Sequence, residues 1–125
     1  MFRVLVIDDD KFVRISIRTV LEADGYEVDE AKDAFEGMAL QKTYKFDAAI
    51  VDLLMPHKDG LETIQGLKEH NPNLPILAIS GGATSAHQSF FNAATLMGAT
   101  ATLEKPFGGE ELLSTMATVV AAQVA

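Results

Sequence analysis

The stretch FDAAIVDLLMPHKDGLETIQGLKEH, residues 46–70, decides how the chain is read. Its first part is an apolar run of strand length that ends in an acid, Asp52. Pro56 and Gly60 follow within eight residues, and then Leu61, Ile64 and Leu67 recur at helical spacing. A short, bulky run, a turn and an amphipathic stretch make a strand–turn–helix unit. The carboxylate is the anomaly, because a charge at the mouth of a buried strand costs free energy unless something compensates it.

The same unit recurs on both sides. FRVLVI precedes KFVRISIRTVLEADG, in which Val13, Ile17, Val20 and Leu21 repeat at helical intervals and Gly25 ends the turn. YEVDEA precedes AFEGMALQKTY, PILAIS precedes SAHQSFFNAATLMG, and TATLE precedes EELLSTMATVVAAQV. Five strand–helix pairs follow from this alternation. Runs rich in Val, Ile and Leu, each followed by a helix, imply a parallel sheet covered on both faces, since parallel neighbours need crossovers and these are right-handed. The expectation is a doubly wound α/β fold, a five-stranded parallel sheet in a single domain over residues 1–125.

Composition narrows the function. At 125 residues with 48% apolar content the chain can bury one core. No run reaches the length of a membrane span, and MFRVLVIDDD turns acidic before a signal-like segment develops, so a cytoplasmic protein with no membrane partner is expected. The absence of cysteine removes disulfides, thiolate metal sites and cysteine nucleophiles. A net charge of −8 argues against direct nucleic-acid binding. The acids are unevenly placed: residues 71–103 carry no Asp, Glu, Lys or Arg, so one side of the molecule should be acidic and another almost uncharged.

In a doubly wound fold, ligands bind beyond the carboxyl ends of the strands. Those ends carry Asp8, Asp9 and Asp10, then Asp52, then Ser80, then Glu104 and Lys105 with Pro106 next. Each has an ordinary structural role open to it: Asp10 can cap the following helix, Ser80 can begin a turn, and a single lysine can simply be solvated. Together they suggest more. Crowded carboxylates repel one another, and hard oxygen ligands favour Mg²⁺ or its mimic Mn²⁺. A divalent ion, an ammonium and a hydroxyl beside a carboxylate can handle a phosphoryl group, with Asp52 as the nucleophile that forms an acyl phosphate.

The segments VLVIDDD, AAIVDLLMPHKDG, ILAIS and GATATLEKPF, in this order, resemble the receiver domain of two-component response regulators over essentially the whole chain. The resemblance implies a flavodoxin-like (βα)5 fold in which Asp52 accepts phosphate from a sensor histidine kinase or phosphotransfer protein. It implies that Asp8 and Asp9 hold Mg²⁺ with Asp52 and the backbone carbonyl of Leu54. Ser80 corresponds to the switch hydroxyl, and Lys105 to the lysine that pairs with the phosphoryl group, followed by a cis bond to Pro106. The implied protein is a signalling switch with intrinsic autophosphorylation and autodephosphorylation, acting on a downstream protein target.

Some positions depart from that pattern. Thr102 stands where most receivers have the aromatic member of the switch, and Phe90 or Phe91 is a substitute or a core residue. The Ser80–Lys105 separation is longer than usual, which loads the loop SGGATSAHQS, and the Gly81–Gly82 pair suits a loop that moves. His57 replaces a common glycine. The uncharged face of the fourth helix, fifth strand and fifth helix suggests a homodimer or partner surface without ion pairs, or else a plain core-facing helix. Two other functions compete: a degenerate receiver that binds partners without phosphorylation, and a haloacid-dehalogenase-type phosphohydrolase using the Asp8–x–Asp10 spacing.

Overall fold

A computed structural model describes residues 2–55, 60–81 and 86–124. Strands and helices alternate throughout: β1 (Arg3–Ile7), α1 (Lys11–Ala23), β2 (Glu27–Ala31), α2 (Ala34–Thr43), β3 (Ala48–Asp52), α3 (Gly60–His70), β4 (Ile76–Ser80), α4 (Ala86–Leu96), β5 (Ala101–Glu104) and α5 (Gly109–Val124). The strands form one parallel sheet in the order β2-β1-β3-β4-β5. The five expected units are all present, and the fold is the doubly wound, flavodoxin-like α/β sheet. Element ends differ by a residue or so from the sequence reading. Asp8, Asp9 and Asp10 lie in the loop just after β1 rather than within it.

Alternation along the strands splits the core in two. Leu5, Ile7, Ala49, Val51, Ile76 and Ala78 pack under α2, α3 and α4 with Ile64, Leu67 and Phe91. Val4, Val6, Ile50, Leu77 and Ile79 pack under α1 and α5 with Ile17, Leu21, Leu112, Met116 and Val119. The central strands β3 and β4 are buried at every position, which explains their continuous apolar runs. β2 is an edge strand, and its charged residues Glu27, Asp29 and Glu30 face arginines rather than the core.

Local signals set the helix ends. Asp10 caps α1, its Oδ1 accepting from the N–H groups of Phe12 at 2.9 Å and Val13 at 3.4 Å. Gly25, at φ +92°, reverses the chain after α1, a conformation glycine adopts without penalty. Asp33 caps α2 through Glu36 N–H at 2.8 Å, and Glu36 reaches back to Lys32 N–H at 2.8 Å.

The topology creates the site. From β1 the chain crosses to β2 on one flank and then returns past β1 to β3, so the loops after β1 and β3 leave toward opposite faces of the sheet. Between them lies the crevice at the switch point of strand order. Ile7 pairs with Val51 in register, which brings Asp8 and Asp52 side by side at its mouth.

Candidate functional site

Three acids meet in the crevice. Asp8, Asp9 and Asp52 each offer a carboxylate oxygen, and these oxygens lie within 4.8 Å of one another. Asp8 and Asp52 are buried, whereas Asp9 is exposed. Asp10 stands apart, its carboxylate committed to the cap of α1. Lys105, delivered by the loop after β5, reaches across the sheet edge: its Nζ donates to Asp8 Oδ2 at 2.9 Å and lies 3.6 Å from Asp52 Oδ2. The Lys105–Pro106 bond is cis.

Burial governs the electrostatics. Desolvation, together with the charges of Asp8 and Asp9, pushes the Asp52 carboxyl up to about 7, against the opposing pull of Lys105 and of the Leu54 N–H. That N–H donates to Asp52 Oδ1 at 3.2 Å. For Lys105, burial works to lower its pKa, but the hydrogen bond it donates to Asp8 and the charges of Asp52 and Asp8 outweigh it, and the ammonium is held above its ordinary range.

An all-oxygen donor set with more negative charge than one ammonium can balance fits a hard divalent cation of the Mg²⁺ kind. Asp8, Asp9 and Asp52 are the side chains that would hold it. Leu54, in the turn directly after Asp52, is 46% exposed. Gly60 makes that turn possible, because a Cβ there would run into the Asp52 carbonyl oxygen and the Leu53 backbone.

Ser80 ends β4 and continues the alternation of Ile76 and Ala78, on the α3/α4 side of the sheet. It is fully buried, and its Oγ has no hydrogen-bond partner among the described residues. Its hydroxyl is thus not joined to the Asp52–Lys105 cluster in this arrangement, although its carbonyl accepts from the Lys105 N–H at 2.8 Å. Beside it, the Lys105 stem lies over Gly81, where a Cβ would come within 3.2 Å of Lys105 Cβ. Thr102 is half-buried on β5 and pairs in register with Ala78. Phe91 lies in the core, and Phe90 packs against it. Pro56, His57, Gly82 and Ala83 fall outside the described residues, so the expectations for the two loops that hold them are untouched.

Sequence reasoning missed the group behind the acids. Arg14 Nη1 donates to the Asp8 carbonyl at 2.6 Å, and its Nε donates to Glu30 Oε1 at 3.2 Å. The available signal was an arginine four residues after the capping Asp10, on the face of α1 turned to an acidic edge strand. Gln41, buried in α2 and donating to the Leu67 carbonyl at 3.2 Å, was also missed.

Comparison with known proteins agrees with this geometry. The response regulator receiver domain matches residues 4–117. The chain belongs to the response regulator receiver family of two-component systems, and its fold is CheY-like. It is 39% identical over 114 residues to the response regulator MprA of a Mycobacterium species (strain KMS), covering 91% of this chain and 48% of that protein. The chain therefore spans about half the length of the curated relatives it matches. The chemotaxis protein CheY4 of Vibrio cholerae superposes with a TM-score of 0.86 at 33% identity, over 95% of this chain and 98% of that one. A CheY-like receiver domain protein from Methanospirillum hungatei does so with a TM-score of 0.89 at 28% identity, over 99% and 97%. The chain is a signalling domain rather than a typical enzyme. Among the described residues, no helix is long and apolar enough to cross a membrane.

Proposed function

We propose that this chain is a phosphorylation-activated receiver, functional over residues 1–125, that takes a phosphoryl group onto Asp52 from a histidine kinase or phosphotransfer protein. The observation that carries the reading is the meeting of Asp8, Asp9, Asp52 and Lys105, supplied by three separate strand ends, in one crevice. An Asp52 carboxylate oxygen forms a bond to phosphorus as the phosphorus–nitrogen bond of the donor phosphohistidine breaks, leaving the electron pair on the imidazole. Lys105 faces the phosphoryl oxygens and offsets their charge. Asp8, Asp9 and Asp52, with the Leu54 carbonyl, would hold a divalent ion, which when bound would supply additional charge neutralisation. Water attack on phosphorus later returns Asp52 to the carboxylate and ends the signal.

Ser80 is the switch residue in this reading. Its buried Oγ, without a partner among the described residues, gains a hydrogen bond by turning toward a phosphoryl oxygen, which couples chemistry at Asp52 to β4 and α4. Thr102, beside Ala78, is the neighbouring position through which that movement reaches β5. The output is a protein contact in the cytoplasm, with the α4–β5–α5 face open to a downstream target or a second copy. The phosphohydrolase reading loses support because the Asp10 carboxylate serves as a helix cap.

Intact mass after incubation with acetyl phosphate and Mg²⁺ tests the proposal. The expected result is one added phosphoryl group that requires Mg²⁺ and is absent in Asp52→Asn. Neither an adduct nor accelerated release of inorganic phosphate would favour a binding module that works without phosphorylation.

A further inference from the structure

We propose that Arg14 is a positioning residue for the acidic centre, setting the peptide plane between Asp8 and Asp9 and so the placement of both carboxylates. The inference rests on the receiver reading and extends it to a residue outside the crevice. Asp8 has all of its polar groups engaged: its N–H donates to the Ala31 carbonyl at 3.1 Å, Oδ1 accepts from Asp10 N–H at 2.9 Å, and Oδ2 accepts from Lys105 at 2.9 Å. Its carbonyl accepts from Arg14 Nη1 at 2.6 Å. That carbonyl belongs to the Asp8–Asp9 peptide, whose plane is rigid, so fixing the oxygen fixes the direction in which Asp9 leaves.

The guanidinium is itself held. Arg14 is only 14% exposed, and its Nε donates to Glu30 Oε1 at 3.2 Å. Glu30 Oε2 accepts from Arg18 Nη1 at 2.9 Å, and Arg18 Nε lies 3.2 Å from Glu22. The planar fork of an arginine can serve a carbonyl and a carboxylate together in one fixed geometry, which a flexible ammonium does not reproduce. An edge strand and the outer face of α1 thereby brace the loop that carries two of the three acids. Groups that orient metal ligands in this way typically change metal affinity by about 10–100-fold when removed.

Charge alone predicts the opposite sign. A guanidinium close to a cation site repels the cation, so losing it should tighten binding if Arg14 acted only through its field. The experiment is calorimetric titration of Mg²⁺ into the full, unphosphorylated chain as wild type, Arg14→Ala and Arg14→Lys, with thermal unfolding recorded in the same buffer. Positioning predicts roughly ten-fold weaker Mg²⁺ binding in both variants. It also predicts that acetyl phosphate labelling of Asp52 recovers at saturating Mg²⁺, so the Mg²⁺ requirement shifts while the maximal rate does not. Arg14→Lys keeps the charge and decides the matter if Arg14→Ala does not fold. Unchanged or tighter Mg²⁺ binding in Arg14→Lys would overturn the assignment, whatever the change in thermal midpoint. A wild-type chain that takes up neither Mg²⁺ nor phosphoryl would instead sink the receiver reading itself, and the role of Arg14 with it.

Discussion

The α1–β2 flank and the β4–α4–β5 flank of the same sheet are built on different principles. On the first, Arg3 pairs with Asp29 at 2.7 Å, Arg14 with Glu30 at 3.2 Å, and Arg18 with Glu30 at 2.9 Å. On the second, residues 71–103 contain no Asp, Glu, Lys or Arg, and Ser80 lies buried with its hydroxyl unpaired among the described residues. Directional bonds make the first flank a brace for the acids. The described part of the second flank relies on packing and on local polar bonds such as that from Ile76 N–H to Thr100 Oγ1 at 3.3 Å, and on the receiver reading it is the flank that would rearrange. Asp52 and Lys105 stand between the two.

The largest expected effect lies at that boundary. With divalent ions chelated, Asp52 titrates near 7 in the fold against 3.8 for the free side chain, so between these values the folded state holds a proton that the unfolded state has lost. Stability should therefore fall as pH rises from about 4 to about 7, by about 4 kcal/mol at one pKa unit per 1.36 kcal/mol, and level off above. Asp52→Asn should flatten that slope and leave the protein more stable than wild type at pH 8. Urea unfolding at a series of pH values measures it, and a wild-type slope of the opposite sign would show that the crevice is not desolvated.

A smaller effect probes the uncharged flank. Ser80→Ala removes a buried hydroxyl that has no partner among the described residues, so it should leave stability unchanged or raise it by about 1 kcal/mol. A loss of 2 kcal/mol or more in denaturant unfolding would mean that the hydroxyl already holds this flank in place. The smallest effect tests the brace at its rim. Arg18 is 41% exposed, and Arg18→Ala should cost about 0.5 kcal/mol, well below the cost of removing the more buried Arg14. Equal costs for the two would dissolve the distinction between a bracing inner arginine and a solvated outer one.

Much of this was legible in the sequence because it is written in local patterns. The runs AAIVD and ILAIS read as strands because they are buried on both faces, and Val13, Ile17 and Leu21 read as a helix face because helical spacing is short-range. The acids at the strand ends were conspicuous because polar groups directly after a buried run need a reason. β2 was harder: Glu27, Asp29 and Glu30 are poor strand formers taken alone, and their partners Arg3 and Arg14 come from other elements. Gln41 gave no signal at all, since its bond to Leu67 depends on where α2 and α3 meet.

The division follows from the range of the forces involved. By itself the sequence determined the elements, their alternation, the parallel sheet and the list of strand-end residues, all of which depend on neighbours within a few positions. The tertiary structure decided the strand order that opens the crevice, the separation of Asp10 from Asp8 and Asp9, and the reach of Lys105 to Asp8. It also decided the brace through Arg14. Those contacts join residues up to 97 positions apart, and no periodicity encodes which of them will meet once the chain has closed.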